Sequence, residues 1–399
     1  MKTREVKLGE VANVKGGKRI PKEIGLINIP NGHPYIRVRD LNNKRLLELD
    51  NSYEYVDNET QKVISKYTVK AGDVVLSIVG TIGLVAIVGR TLDGANLTEN
   101  CVKLSSFHGV NRDFLYYYLR SDCGQQEIRC GTVGAVQAKL PIKNIQNIAI
   151  NLPDYTTQER IASLLLSIDR KIELNQKIND NLEQQAVTYF QELYINNANP
   201  MWQIGTISDL GTVVGGSTPS KTKPEYYTNN GIAWITPKDL SINKSKFISH
   251  GENDITELGL KNSSATVMPK GTVLFSSRAP IGYIAIASNE VTTNQGFKSV
   301  VPYLEIGTAF VYFFLKHSLP VIESAASGST FKEISGSAMK NIPAIIPDRS
   351  TLDQFNSFCA PIFAQQKILE DQNYSLAMLR DSLLPKLMSG AIDIASIQL

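Results

Sequence analysis

The chain has 399 residues, 42% hydrophobic and 20% charged, with a formal net charge of +3. That length suits two to four domains of roughly 100–200 residues, and the composition is that of an ordinary globular protein. The near-balanced charge argues only weakly for a polyanionic partner.

In chain order, residues 6–14 form a short amphipathic stretch ending in Val14-Lys15-Gly16-Gly17, where the glycines turn the chain. A basic loop follows, Lys18-Arg19-Ile20-Pro21-Lys22, then a β-like run, Tyr35-Ile36-Arg37-Val38-Arg39. Two β-rich segments, 74–79 and 84–88, flank Gly80-Thr81-Ile82-Gly83, which reads as a strand turn. An aromatic patch at helical spacing, Phe114-Leu115-Tyr116-Tyr117-Tyr118-Leu119, is expected to pack inward.

The same order then recurs. Val213-Val214-Gly215-Gly216 repeats the first turn, residues 231–240 (GIAWITPKDL) repeat 32–41 (GHPYIRVRDL), and Gly271-Thr272-Val273-Leu274-Phe275-Ser276 repeats Gly72-Asp73-Val74-Val75-Leu76-Ser77. The offset is about 199 residues from Gly16 to Gly215 and from Gly83 to Gly282. Solenoid units run roughly 20–50 residues, so this is a duplicated domain.

After each globular copy the texture changes. Residues 158–193 contain neither Gly nor Pro, and Ile161, Leu165, Ile168, Ile172, Asn175, Asn179, Leu182, Ala186, Tyr189 and Leu193 alternate by four and three, the seam of a coiled coil. Asn175 and Asn179 either lie buried, where they set register, or face solvent at its edge. Residues 352–387 repeat the segment less regularly, with an apolar face from Phe355 to Leu387, and Pro361 and Pro385 are expected to kink the helix or mark its ends. Long helices are marginal alone, so the two are expected to pair, antiparallel if a pseudo-twofold axis crosses them. The expected architecture is α+β, two duplicated α/β heads held apart by an antiparallel coiled coil.

Catalytic patterns are missing. His33, His108, His250 and His317 are scattered outside any HExxH spacing, and no GxSxG occurs. Lys15-Gly16-Gly17-Lys18 fails the phosphate-loop pattern. Cys101, Cys123, Cys130 and Cys359 show no CxxC spacing, which argues against zinc or disulfides and fits a reducing cytosol. No secretory segment opens the chain and no apolar run approaches the roughly 18 residues that span a bilayer, so a cytoplasmic protein without membrane association is expected.

What recurs is a frame with different side chains: Tyr35 matches Trp234; Arg37, Val38 and Arg39 match Thr236, Pro237 and Lys238; Val79, Gly80 and Thr81 match Arg278, Ala279 and Pro280. Basic residues gather in the same loops of both copies. The candidate nucleic-acid contacts are Lys18, Arg19, Lys22, Arg37, Arg39, Lys44, Arg45, Thr81, Gln137 and Lys139 in the first copy. In the second they are Thr218, Ser220, Lys221, Lys223, Lys238, Ser277, Arg278 and Lys332, with Lys244 and Lys246 in the same basic loops. Cationic loop tips neutralise phosphates, and Arg, Gln, Asn and Thr read base edges; ordinary solvated surface is the alternative for each.

These features together resemble the specificity (S) subunits of Type I restriction–modification systems. The resemblance rests on Leu8-Gly9-Glu10 through Gly17 and Ile207-Ser208-Asp209 through Gly216, on the repeated strand pair ending in Ile-Gly, and on Thr293-Asn294-Gln295-Gly296-Phe297. It rests also on Gly131-Thr132 and Gly328-Ser329-Thr330 leading to Lys143-Asn144-Ile145 and Lys340-Asn341-Ile342, and above all on Leu152-Pro153 and Ile346-Pro347 before the long helices. The resemblance implies target recognition domains at 1–154 and 199–349, each reading one half of a split site in double-stranded DNA, and conserved helices at 155–198 and 350–399. The helices would act as a ruler and dock two methyltransferase (M) subunits, which bind S-adenosylmethionine; nuclease/translocase (R) subunits complete the complex. The chain itself would hold no cofactor, metal or catalytic site. Asp348-Arg349-Ser350-Thr351-Leu352-Asp353-Gln354 departs from the family's Glu-Gln-x-x-Ile form, so M-subunit contacts do not transfer there. The rival readings are a two-headed protein-binding scaffold, which predicts apolar or acidic loops, and a fused methyltransferase, which predicts an Asn/Asp-Pro-Pro-aromatic motif.

Overall fold

Short β-branched runs between glycine turns form the strands of both copies. In a computed structural model, residues 2–41, 44–278, 280–328 and 332–394 are described; Ala279, Ser329 and Thr330 of the sequence reading lie outside them. The chain divides into two units, Met1–Lys171 with Ser375–Leu399, and Ile172–Tyr374. The cuts fall inside both long helices, so each unit holds part of each.

The described strands of the first unit are β1 (Thr3–Lys7), β2 (Asn13–Gly16), β3 (Pro34–Ile36), β4 (Leu46–Leu47), β5 (Glu54–Tyr55), β6 (Val74–Ser77), β7 (Val85–Val88), β8 (Asn96–Leu97), β9 (Cys101–Ser105) and β10 (Ala149–Pro153). They form a five-stranded sheet ordered β2-β9-β6-β7-β4, a three-stranded sheet β5-β3-β8, and the antiparallel pair β1-β10 that ties the ends of the copy together. β6 and β7 are buried at every position, and all but Ser77 are apolar. One face of the large sheet packs on the aromatic helix Arg112–Arg120 and on Ile161, Leu165, Leu387 and Met388 of the long helices. The other face packs, through Val75, Ala86 and Val88, against Ile36 and Leu97 of the small sheet. The aromatic patch is therefore core.

The second unit repeats this with β11 (Gln203–Thr206), β12 (Gly211–Gly215), β13 (Tyr227–Thr228), β14 (Ile232–Ile235), β15 (Phe247–Ile248), β16 (Asn253–Ile255), β17 (Val273–Phe275), β18 (Ile284–Ala287), β19 (Thr292–Thr293), β20 (Lys298–Pro302) and β21 (Pro343–Ile346). Its sheets run β12-β20-β17-β18-β15, β13-β16-β14-β19 and β11-β21. The strand turn is copied bond for bond. Ser77 Oγ donates to the Thr81 carbonyl and accepts from Leu84 N–H, as Ser276 Oγ does with Pro280 and Tyr283. Gly83 (φ 91°) and Gly282 (φ 95°) both need the left-handed region to close it.

The β-like run 35–39 is shorter than its sequence suggests. The strand stops at Ile36 because the Asp40 carboxylate accepts the Arg37 N–H at 2.7 Å and turns the chain into a 3₁₀ helix, Val38–Leu41. Asp239 does the same to Thr236 at 2.7 Å, opening the helix Pro237–Ile242. A carboxylate three residues on is the usual partner of an orphan N–H at such a turn.

The long helices span Tyr155–Gln191 and Arg349–Met388. In the second unit Asn175 donates to Asn373 at 2.9 Å, Gln366 donates to the Asn179 carbonyl at 3.2 Å, and the Tyr189 ring lies 4.4 Å from that of Phe358. Numbers rise on one helix as they fall on the other, so the segments are antiparallel. In the first unit Arg380 meets Asp169 at 2.8 Å. Asn175 is fully buried, its amide bridging Gln372 and Asn373, which places it in the seam rather than at a wet edge. The second helix runs through Pro361, and Pro385 falls in its last turn.

Candidate nucleic-acid interface

The residues after each Gly-Gly pair are held by the same bonds in both units. A Cβ on Gly17 would sit 2.1 Å from the Thr98 carbonyl oxygen, and one on Gly216 would sit 2.0 Å from that of Asn294, so only glycine lets the two loops meet. Tyr35 Oη donates to the Lys18 carbonyl at 2.8 Å; Trp234 Nε1 donates to the Ser217 carbonyl at 3.0 Å. Thr98 N–H and Asn294 N–H donate to Ile36 and Ile235. Ile78 N–H and Ser277 N–H donate to Asn100 and Gly296, each at 2.8 Å. These bonds equate Lys18 with Ser217, Thr98 with Asn294, and Asn100 with Gly296.

In the first unit the frame carries a cleft of about 490 Å³ whose lining combines Arg19, Lys22, Arg37 and Arg39 with Thr98, Glu99, Asn100 and apolar side chains such as Ile20 and Ile24. Arg19 Nε donates to Glu99 at 2.5 Å. Burial raises the Glu99 carboxyl, but the Arg19 hydrogen bond and its own backbone amide outweigh this and hold it below the usual range. Glu54 accepts from Arg37 and, at 2.7 Å, from Arg39. Behind them the Asp40 carboxyl is pushed up to about 6, chiefly by burial and against the pull of Arg39. Lys18 lies 5.7 Å above the Tyr67 ring, and Lys44 pairs with Asp50 at 2.8 Å. Thr81, Gln137 and Lys139 are exposed; backbone bonds from Leu140 to Ile78 and from Ile78 to Asn100 bring the segment holding Lys139 beside the cleft.

In the second unit Thr218 Oγ1 donates to Gln295 Oε1, the counterpart of the Arg19–Glu99 bond. Ser220 and Lys221 are exposed, Lys223 lies 5.2 Å over the Tyr226 ring, and Lys238 pairs with Glu252 at 2.6 Å. Arg278 meets Glu333 at 3.6 Å, and Lys332 is exposed beside it.

Three residues of the sequence reading lie elsewhere. Ser277 is fully buried, a position in the continued strand that points inward, so it leaves the exposed set. Arg45 is mostly buried and 4.0 Å from Asp113. Lys246 is buried under the helix pair, bonded to Glu183 and, at 2.6 Å, to Gln366, with its ammonium 4.2 Å from the Phe363 ring. It anchors a head to the helices. Conversely, Glu99 and Asn100 line the cleft, and Glu54 pairs with two of its arginines, although the sequence reading names none of the three. Glu99 lies 80 residues from Arg19, and only the β2-β9 pairing brings them together.

Two copies of one frame, each tipped with its own polar side chains and each packed on half of a helix pair, define a protein of two recognition heads. A family model described as the type I restriction modification DNA specificity domain matches residues 2–184 and again 199–371. The chain belongs to that family. It is 43% identical over 162 residues to the type I restriction enzyme MjaIX specificity subunit of Methanocaldococcus jannaschii, a match covering 40% of this chain and 37% of that protein. It is 23% identical to the HindI specificity subunit of Haemophilus influenzae over 67% of this chain and 73% of that one. The crystal structure of the type I restriction–modification S subunit from M. genitalium shares the fold, with a TM-score of 0.56 at 17% identity over 97% of this chain and 99% of that one. No helix among the described residues is long and apolar enough to cross a membrane.

Proposed function

We propose that this chain is the DNA-reading subunit of a type I restriction–modification enzyme, each head reading one half of a split site in double-stranded DNA. The observation that carries it is the shared frame, which presents basic and polar side chains at equivalent edges of both units and varies only in which ones. Cationic tips hold phosphates and polar side chains read bases. Many of the cations are paired with carboxylates inside the head, as Arg37 and Arg39 are with Glu54, so affinity of the chain alone is modest.

The helix pair sets the distance between half-sites and docks two methyltransferase subunits. Leu174, Ile178, Ile368 and Tyr374 are exposed apolar residues on the helices and suit such a partner. The methyltransferase binds S-adenosylmethionine and extrudes the target base; nuclease/translocase subunits join the complex, and this chain supplies the address and no chemistry.

A fluorescence-anisotropy titration against genomic DNA fragments, with and without the methyltransferase subunits, tests this at several salt concentrations. Weak binding alone, tightened by the partner and falling linearly with log salt, is expected. Salt-independent binding, or no binding with the partner present, favours the protein-scaffold reading.

A further inference from the structure

Among the positions at which the two heads differ, one is a bonded pair of side chains in both. Arg19 and Glu99 form a bonded pair in the first head where Thr218 and Gln295 form one in the second. The flanking backbone bonds are the same, so the difference is one of side chains only.

Glu99 is a carboxylate in a cleft that also holds four cations. Arg19, Lys22, Arg37 and Arg39 line its walls, and a carboxylate among them repels phosphate. Arg37 is held by Asp40 and Glu54 and is mostly buried, whereas the Arg19–Glu99 pair, like Arg39, is open to solvent, with side chains 66% and 29% exposed. Arg19 uses Nε on Glu99, which leaves the N–H groups of its terminal nitrogens able to donate elsewhere. An arginine reads guanine O6 and N7 through two nitrogens, and a glutamate accepts from cytosine N4. O6 and N4 are themselves adjacent across a G·C pair in the major groove. A bonded Arg–Glu pair therefore matches one whole base pair, edge for edge. Threonine and glutamine offer no such match: the amide suits adenine and the threonine methyl suits thymine.

Building on the DNA-reading function proposed above, we infer that Arg19 and Glu99 are specificity-determining residues that together read a single G·C base pair in the half-site of the first head. Arg19 holds the guanine, Glu99 the cytosine, and each orients the other. The remaining cations of the cleft hold phosphates and carry no sequence preference.

The test is methylome sequencing of cells expressing the full chain with its methyltransferase subunits, comparing wild type, E99Q, and R19T/E99Q, which transplants the second head's pair. Wild type is expected to give a split motif with an invariant G·C in one half. In R19T/E99Q that position alone relaxes or turns toward A·T, with a roughly ten- to hundredfold loss of preference, and the other half-site is unchanged. E99Q, which keeps Arg19, relaxes the same position less. Anisotropy on oligonucleotides carrying each base pair at that position measures the change directly, and a thermal melt within a few degrees of wild type excludes misfolding. Unchanged motifs in both variants, or uniform weakening across all four base pairs, overturn the inference while leaving the function intact. A wild-type chain that directs no split motif overturns the function itself.

Discussion

Lys246→Met removes the ammonium that joins the second head to its helix pair, and its consequence follows from the contacts. The ammonium is bonded to Glu183 and Gln366 and lies 4.2 Å from Phe363 and 4.8 Å from Tyr312. Burial raises the Glu183 carboxyl, but Lys246 and Lys316 outweigh it and keep the group below its usual range. Breaking a buried ion pair by removing one partner costs roughly 3–5 kcal/mol because the other charge stays buried. Lys316 remains on Glu183 at 2.6 Å, and methionine keeps the ring contacts, so the low end applies, about 3 kcal/mol. For a unit of this size that is about 6–12 °C. Differential scanning calorimetry of K246M, E183Q and the double variant measures it. The double variant is expected to be more stable than the two single losses predict, by about 1–3 kcal/mol. A K246M melt within 1 °C of wild type, or strictly additive losses, refutes the reasoning.

Asp40 gives the first unit a pH dependence. Its folded pKa of about 6 lies above the unfolded value near 3.9, so the folded state retains a proton that the unfolded chain has released. That contribution is fully present below about pH 4 and is lost as pH rises through 6, at most about 3 kcal/mol. Urea titrations from pH 4 to 7 should show D40N gaining on wild type across this window; a constant difference contradicts the assignment. Cysteine access is a simpler check. Cys123 and Cys130 are exposed, Cys101 and Cys359 buried, and burial pushes the Cys359 thiol up to about 12. Mass spectrometry after iodoacetamide should find Cys123 and Cys130 modified in the native protein and all four in urea; prompt native labelling of Cys101 or Cys359 refutes the packing.

Much of this was legible in the sequence because the duplication writes each feature twice. The Gly-Gly turn, the strand turns after Ser77 and Ser276 and the heptad seam each follow from local pattern, whereas the burial of Asn175 within that seam does not. What was hidden depends on sheet order. Lys246 and Arg45 read as loop cations like any other, yet their loops precede β15 and β4, the edge strands next to β18 and β7, and run toward the protein core. Ser277 reads as a candidate contact, but strand geometry points it inward. Glu99 became visible only when β9 lay beside β2. Pro361 does not end the helix, because one lost N–H is outweighed by the packing of Phe355, Cys359 and Ile362, whereas Pro385 falls in its last turn.

The central claim, two readers spaced by a helix pair, is tested most directly by lengthening that pair. Because Asn175 is bonded to Gln372 and Gln366 to Asn179, an insertion in one helix alone breaks register. Seven residues must enter both helices, between Asn175 and Asn179 and between Gln366 and Gln372. Seven residues add about 10 Å, or roughly three base pairs of duplex. Methylome sequencing with the methyltransferase subunits should then show the spacer lengthened by about that amount with both half-sites intact; an unchanged spacer with altered half-sites contradicts the account.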